Sequence, residues 1–177
     1  MLSAVRVMVF LHGTAIMHAS AVGQPRAERV RQSRQRDASV LGFGAYVPTE
    51  NAVAKLQAWR RHGADICYLS SHTSPADVAL DRTVLAAHGF PDGPVLFRRP
   101  GESYADVASR AGADVVVEDD CESIGGAQHT TAFSLAQRPG RALSCVVVPE
   151  FGGLTHLPDD PQGLIQNGVR VRKHPAG

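Results

Sequence analysis

Residues 115–126 read Val-Val-Val-Glu-Asp-Asp-Cys-Glu-Ser-Ile-Gly-Gly, and this stretch decides the fold that the sequence predicts. Its three valines form a short apolar run, which is typical of a buried strand in a parallel sheet. The run ends in Glu118, Asp119 and Asp120, and a fourth acid, Glu122, follows Cys121. Adjacent carboxylates repel one another unless a cation or a basic group lies among them. Because ligands bind at the carboxyl ends of parallel strands, the stretch indicates a metal site, with a solvated acidic loop as the alternative.

Further apolar runs and helical patterns alternate along the rest of the chain. Strands are predicted at 5–11, 64–69, 95–97 and 143–148. Helices are predicted at 49–62 with Thr49 as N-cap, from Ser74 to Gly89, at 103–112 and at 162–167, while 130–140 is either a loop or a poor helix. Since parallel neighbours need helical crossovers, this order predicts an α/β fold with a three-layer, Rossmann-like parallel sheet.

One segment, from about residue 15 to residue 48, interrupts the alternation. It predicts a small cap inserted into a single domain that spans residues 1–177. Its stretch from Arg26 to Asp37 contains five arginines, with Val30 as the only large apolar residue. Two interpretations stay open, a solvated helix face and a mobile cap that closes over an anionic ligand.

Composition limits the classes of protein to which the chain can belong. The 177 residues suffice for one domain, and the 44% hydrophobic and 20% charged content is ordinary for a globular protein. A formal charge of +1 argues against a nucleic-acid partner. The three cysteines show no Cys-x-x-Cys spacing, so buried thiols in a reducing compartment are expected. The apolar run near the N-terminus is too short for a signal peptide or a membrane span, which predicts a cytoplasmic protein without a membrane partner.

Four strand-end motifs resemble those of the haloacid dehalogenase (HAD) superfamily over about residues 5–150. The motifs are His12-Gly13-Thr14, Ser70-Ser71, Arg98-Arg99-Pro100 and Glu118-Asp119-Asp120. The resemblance implies a Rossmann-like sheet, a small cap after the first strand, and phosphoryl or related group-transfer chemistry with magnesium.

The first of these motifs departs from the superfamily pattern. Phe10 stands where the superfamily has its nucleophilic aspartate, and His12 stands where it has its acid/base aspartate. A phenylalanine side chain has no oxygen that could attack the substrate or bind a metal, so the aspartyl-phosphate mechanism is excluded unless another residue takes over. The chain is also similar to a little-characterised bacterial and archaeal branch that lacks both aspartates.

The metal ligands follow from the fourth motif. Asp119 and Asp120 match the paired acids that bind magnesium in the superfamily. Because the aspartate of the first motif is missing, binding is expected to be weaker or to use Glu118 or Glu122 as a further ligand. Carboxylates and waters suit Mg²⁺. His12 is expected to transfer a proton, as an imidazole can do near neutral pH, or to be a ligand itself. With His18, His72 and the acids it would form a nitrogen and oxygen site better suited to zinc, manganese or iron. The alternative for each histidine is a structural, hydrogen-bonded role.

The other motifs predict an anion-binding site. Substrate-binding roles fall to Gly13, Thr14, Ser70, Ser71, Arg98 and Arg99. For Ser70 the alternative is a strand-end cap. For Arg99 the alternative is a surface ion pair. Glu150, at the end of the fifth predicted strand, is a further candidate ligand or base.

Two hypotheses on function result from these assignments. The first is a metal-dependent hydrolase or lyase of a small anionic molecule bearing phosphate or carboxylate, in which water rather than a protein group attacks. His12 and Asp119 would be its catalytic residues. The second is a non-catalytic HAD-like module that binds a ligand or a metal.

Overall fold

The computed structural model describes residues 4–137 and 143–170. Its strands are β1 (Arg6–Phe10), β2 (Ile16–His18), β3 (Tyr46–Pro48), β4 (Asp65–Leu69), β5 (Val95–Leu96), β6 (Val115–Asp119), β7 (Ser144–Val148) and β8 (Val169–Arg170). Its α-helices are α1 (Arg26–Gln35), α2 (Ala52–Arg61), α3 (Pro75–Ala87), α4 (Tyr104–Ala111), α5 (Thr131–Ala136) and α6 (Pro161–Asn167).

The main sheet has six strands in the order β5-β4-β1-β6-β7-β8. Strands β5, β4, β1, β6 and β7 are parallel, and β8 pairs with β7 in the antiparallel direction. In the centre of the sheet, Val7 of β1 aligns with Ile66 on one side and with Val115 on the other. The prediction of an α/β fold with a Rossmann-like parallel sheet is confirmed.

Helices cover both faces of this sheet, because side chains alternate along a strand. Val7 points into a core that it shares with Trp59 of α2 and with side chains of α3 and α6. Its neighbour Met8 belongs to a second core, which contains Val107 of α4 and Leu135 of α5. The three-layer arrangement follows from these two separate cores.

Capping residues set most of the helix starts that the sequence predicts. The Ser74 side chain accepts a hydrogen bond from the Asp77 amide ahead of Pro75, and Ser103 forms a capping box with Asp106. The prediction for Thr49 is wrong: α2 has Asn51 as its N-cap residue. The Thr49 hydroxyl instead donates a 2.7 Å hydrogen bond to the Thr14 carbonyl, which ties the start of α2 to the loop after β1.

Part of the ambiguous stretch 130–140 is helical, since α5 covers residues 131–136. The Thr130 side chain caps this helix by accepting a hydrogen bond from the Phe133 amide. Residues 138–142 lie outside the described part of the chain. Among the described residues, no helix is long and apolar enough to cross a membrane.

The inserted segment consists of the antiparallel pair β2 and β3 with α1 between them. The basic helix is anchored and not merely solvated. Val30 is buried beside Phe151, Arg26 donates to the Glu150 carbonyl at 2.8 Å, and Arg29 donates to the Phe151 carbonyl at 2.9 Å. The segment therefore packs on the loop after β7. Its role as a cap, and the division into one domain with an insertion, stay predictions.

Candidate functional site

The loops after β1, β4, β6 and β7 surround a cavity of about 460 Å³ at the carboxyl edge of the sheet. Since these strands are parallel, the residues that follow them must emerge at this same edge. The polar residues that line the cavity include His12, His18, Ser71, His72, Asp119 and Glu150. Phe10 also lines it, and its ring packs edge-on against Tyr104 with centroids 5.0 Å apart.

Three carboxylates form a compact group at the ends of β6 and β7. Oxygen atoms of Asp119, Asp120 and Glu150 lie within 4.8 Å of one another. Asp119 accepts hydrogen bonds from the Thr14 hydroxyl at 2.8 Å and from the Cys121 amide at 2.9 Å. Burial raises the pKa of Asp119 and of Glu150, and the neighbouring negative charges raise both pKa values further. The group therefore favours the presence of a proton or a cation.

A divalent metal fits this group by its donor chemistry. All donors are carboxylate oxygens, which are the ligands that Mg²⁺ prefers. Glu150 takes the place in the group that the sequence assigned to Glu122. The structure places Glu122 elsewhere, because its exposed carboxylate pairs with Arg26 at 2.6 Å. Arg26 also lies 3.3 Å from Asp120, so the inserted segment supplies a positive charge at the outer side of the group.

Gly13 packs directly against the carboxylates. Its φ of +86° lies in the left-handed region, and a Cβ atom at this position would stand 2.9 Å from Asp119 Oδ2 and 3.1 Å from Glu150 Cγ. The neighbouring Thr14 is buried, and its hydroxyl bonds to Asp119. Both residues therefore contact the acids, and their predicted role in binding the substrate stays a prediction.

His12 belongs to a second polar group, which lies on the β4 side of the cavity. Its Nδ1 atom is 2.8 Å from the Ser71 hydroxyl, and its Nε2 atom is 3.0 Å from Asp81 of α3. Asp81 is fully buried and also contacts Ser70 at 2.6 Å and His72 at 3.2 Å. Burial by itself raises the pKa of Asp81, but the hydrogen bonds from His12 and Ser70 and the charge of His12 hold that pKa below its ordinary value.

The ligand set predicted from the sequence is thus divided between two groups. Donor atoms of His12, His72 and Asp81 also lie within 4.8 Å of one another. Nitrogen and oxygen donors of this kind suit zinc, manganese or iron. His18 is not a member of this group, and Asp81 is its carboxylate in place of the acids of β6.

Sequence reasoning missed Asp81. A signal for it exists in α3, because Val78, Val84 and Leu85 form the buried side of this helix and Asp81 lies among them. An aspartate on the apolar stripe of a helix needs buried hydrogen-bond partners. That requirement identifies Asp81 as part of a buried polar group, but it does not identify the other residues of the group.

The predicted anion-binding residues are separated by the fold. Ser70 is completely buried, whereas Ser71 is exposed and lines the cavity. Arg98 lies over the Tyr104 ring at 4.4 Å from its centroid, and the backbone amide of the exposed Arg99 donates a 2.8 Å hydrogen bond to the Glu102 carboxylate. Neither arginine is among the residues that line the cavity.

His18 connects the inserted segment to the cavity. It is only 1% exposed, and its Nδ1 atom lies 2.6 Å from the Ser20 hydroxyl. Its Nε2 atom is buried and has no hydrogen-bond partner, although His18 lines the cavity. A buried polar atom normally has a partner, so a water or a polar ligand atom is expected at Nε2. The apolar lining of the same cavity suits a ligand with an apolar part and includes Val40, Leu41, Phe43, Tyr46 and Ile124.

Acidification should destabilise the protein through His18. Burial lowers the pKa of His18 below its ordinary value of 6.5, so in this pH range the unfolded chain binds a proton that the folded chain does not. The free energy of unfolding should therefore fall as the pH drops below about 6.5. Urea unfolding at pH 7.5 and 5.5 measures this change. Between these pH values, the free energy of unfolding should fall less in His18→Gln than in the wild type. His88→Gln, which changes an exposed histidine, is the control, and equal falls in all three proteins would contradict the expectation.

Comparison with known proteins gives similarities to solved structures only. No protein-family model and no curated protein matches the sequence. A HAD family hydrolase from Deinococcus radiodurans R1, solved with bound phosphate and sodium, is 12% identical over 84% of this chain and 92% of its own, with a TM-score of 0.44. A HAD hydrolase of family IA, variant 3, from Entamoeba histolytica HM-1:IMSS is 12% identical over 92% of this chain and 98% of its own, with a TM-score of 0.47. At this identity the likeness concerns the fold alone.

Proposed function

We propose that the protein is a hydrolase of a small anionic substrate, which it binds together with a divalent cation. One observation carries the proposal: the buried carboxylates of Asp119 and Glu150 and the imidazole ring of His12 line the same cavity. The unpartnered Nε2 atom of His18, which lines that cavity too, supports the presence of a ligand.

Asp119, Asp120 and Glu150 would hold the cation. When bound, such a cation neutralises negative charge on the oxygens of the substrate and on those that gain charge during the reaction. The chain holds the carboxylates in place beforehand. Glu150 accepts hydrogen bonds from the amide and the hydroxyl of Ser123, both at 2.7 Å, and the Glu150 amide donates to Asp120 at 3.1 Å. Such outer hydrogen bonds orient metal ligands.

His12 would move the proton. Its Nε2 atom faces the Asp81 carboxylate, which only accepts hydrogen bonds, so Nε2 carries the ring proton. The Nδ1 atom is then the basic atom, and it lies on the side of the solvent-exposed Ser71. In this state the ring accepts a proton at Nδ1 and returns it to a leaving group.

Turnover that depends on a divalent cation tests the proposal. Release of inorganic phosphate from a panel of small phosphate esters should be measured with Mg²⁺, Mn²⁺ or Zn²⁺ and with an excess of chelator. We expect hydrolysis of at least one ester, loss of activity in the chelator, and recovery on adding the cation. His12→Gln should lower the rate by about 100-fold or more, since general acid–base catalysis contributes that much. The exposed His88→Gln is the matched control.

Two results would argue against this function. Equal turnover in the presence and absence of the chelator would show that the reaction does not require a divalent cation. Metal binding without hydrolysis of any ester, carboxylic esters included, would favour the alternative of a non-catalytic binding module.

A further inference from the structure

We propose that Ser71 is the attacking nucleophile of this site, activated by His12 and oriented through Asp81. Its substrate class rests on the proposed hydrolytic function, to which it adds a covalent step. The side chain at the end of β1, Phe10, cannot supply this step because it has no nucleophilic atom. Ser71 follows the neighbouring strand β4 and lines the same cavity as Phe10.

The hydrogen bonds form a relay from the cavity to the interior. The Ser71 hydroxyl lies 2.8 Å from His12 Nδ1, and His12 Nε2 lies 3.0 Å from Asp81 Oδ1. Because the ionised Asp81 can only accept, the neutral ring donates at Nε2 and accepts at Nδ1. The Ser71 hydroxyl therefore donates its proton towards the base. A nucleophile, a base within hydrogen-bond reach and a third group that orients the base are the parts that covalent catalysis by serine requires.

Burial distinguishes the two adjacent serines. The Ser70 hydroxyl is completely buried, donates to Asp81 at 2.6 Å and accepts from the His72 amide at 3.0 Å. It cannot meet a substrate, and it fixes the Asp81 carboxylate instead. Ser71 is exposed and lines the cavity, where a substrate can reach it. Of the two, only Ser71 has both the activating contact and the access.

The Asp81 carboxylate is held from three sides. Besides Ser70, both histidine rings contact it, and the His12 and His72 rings lie 4.4 Å apart. The Asp81 side chain is almost fully enclosed, with 1% exposure, so water does not compete for these contacts. Asp81 is thus a positioning residue, which sets the tautomer of His12 and balances the positive charge that this ring acquires during reaction.

The step balances without a further reagent. Ser71 Oγ forms a bond to the electrophilic phosphorus or carbon of the ester, and its proton passes to His12 Nδ1. The bond to the leaving oxygen breaks, and that oxygen takes the proton from Nδ1. Water then attacks the same centre and gives a proton to Nδ1, while Ser71 Oγ leaves and recovers that proton. The products are the free acid and the alcohol, and the enzyme is unchanged.

Phosphonylation by a fluorophosphonate reagent tests the nucleophile directly. The full chain is treated in the presence of chelator, and the adduct is located by mass spectrometry. We expect one adduct on Ser71, none at this position in Ser71→Ala, and labelling slower by about 100-fold or more in His12→Gln. Ser109→Ala, which changes an exposed serine of α4, should be labelled like the wild type.

Cysteine in place of Ser71 gives a second test, which does not depend on the reagent. Burial raises the pKa of the native thiols, to about 11 for Cys67 and about 12 for Cys145, and the pKa of Cys121 is raised too. In Ser71→Cys, iodoacetamide should therefore alkylate position 71 first, because a thiol paired with an imidazole reacts as the thiolate. Adding His12→Gln should slow this alkylation.

To test the positioning role of Asp81, a measurement is required that replacement of a merely structural residue would not change. The proton that His12 Nε2 shares with Asp81 should give a far-downfield proton resonance, which Ser71→Ala retains and His12→Gln and Asp81→Asn remove. In Asp81→Asn, labelling of Ser71 should slow as well. Thermal unfolding of each variant shows whether the comparison is made between folded proteins.

Two results would overturn the proposal. One is a folded wild type without an adduct on Ser71, and the other is labelling of Ser71 at the same rate in folded His12→Gln. The reaction with fluorophosphonate needs no cation, so its outcome is independent of the metal. If Ser71 is labelled but no cation-dependent hydrolysis is found, the proposed function is wrong and Ser71 is still a nucleophile. If hydrolysis depends on the cation but Ser71 is not labelled, the proposed function holds and the proposal for Ser71 is wrong.

Discussion

Replacing Asp119 with asparagine should remove most of the affinity for Mg²⁺, whereas replacing His12 with glutamine should leave that affinity unchanged. Asparagine keeps the shape of the side chain and can still accept one of the two hydrogen bonds, from the Thr14 hydroxyl or from the Cys121 amide. It removes one negative charge from the carboxylate group, and Mg²⁺ depends on charged oxygen ligands. The loss should exceed the roughly 10- to 100-fold that removal of an outer-shell partner causes.

Calorimetric titration of the two variants with several cations also distinguishes the metals. If the metal is zinc, manganese or iron, the imidazole of His12 would itself be a ligand, together with His72 and Asp81, and His12→Gln should weaken binding as well. Asp92→Asn, an exposed acid outside the cavity, is the matched control. Should neither Asp119→Asn nor His12→Gln change the affinity for any divalent ion, the acids would be structural and the binding-module hypothesis would gain support.

Gly13→Ala should reduce both stability and cation binding. The backbone at residue 13 has a φ of +86°, and the added Cβ would lie 2.9 Å from Asp119 Oδ2. Gly101 has a nearly equal φ of +80°, but nothing lies within 4 Å of a Cβ added there. Both substitutions should lose about 1–2 kcal/mol from the left-handed backbone conformation. Only Gly13→Ala should lose about 1–3 kcal/mol more, because the new methyl group overpacks the carboxylates.

Urea unfolding measures the first part of this prediction, and Mg²⁺ titration of the folded variants measures the second. Gly101→Ala should bind Mg²⁺ like the wild type, since it leaves the cavity unchanged. Equal stability losses in the two variants would show that Asp119 and Glu150 can move away from residue 13 without penalty. The close packing of Gly13 on these acids would then have no role in shaping the site.

Local sequence patterns predicted much of the fold. The valine run before Glu118 and the alternation of strands and helices depend on residues close together in the chain, and so does the cap at Ser74. Thr49 was misjudged because its hydroxyl bonds to Thr14, 35 residues away, and no local pattern reports such a contact.

The sequence could predict those parts of the candidate site that lie directly after the predicted strands. His12, Asp119 and Glu150 lie at one edge of the sheet because the carboxyl ends of parallel strands meet there. The order of strands and helices in the sequence predicts this parallel topology. Glu122 was assigned to the metal by proximity in sequence alone. In the structure Arg26 pairs with it at 2.6 Å, because α1 packs across the acidic loop.

Sequence by itself determined the parallel sheet, the apolar side chain of Phe10 at the end of β1 and the placement of acids at the end of β6, since each depends on residue type and local order. Tertiary structure alone decided which of two adjacent serines is exposed, and it brought Asp81 into contact with His12, 69 residues away. The physical reason is burial. Whether a hydroxyl or carboxylate meets solvent or a partner depends on how α3 packs against the sheet, and many sequences with the same pattern of strands and helices would pack this helix without an aspartate on its buried side.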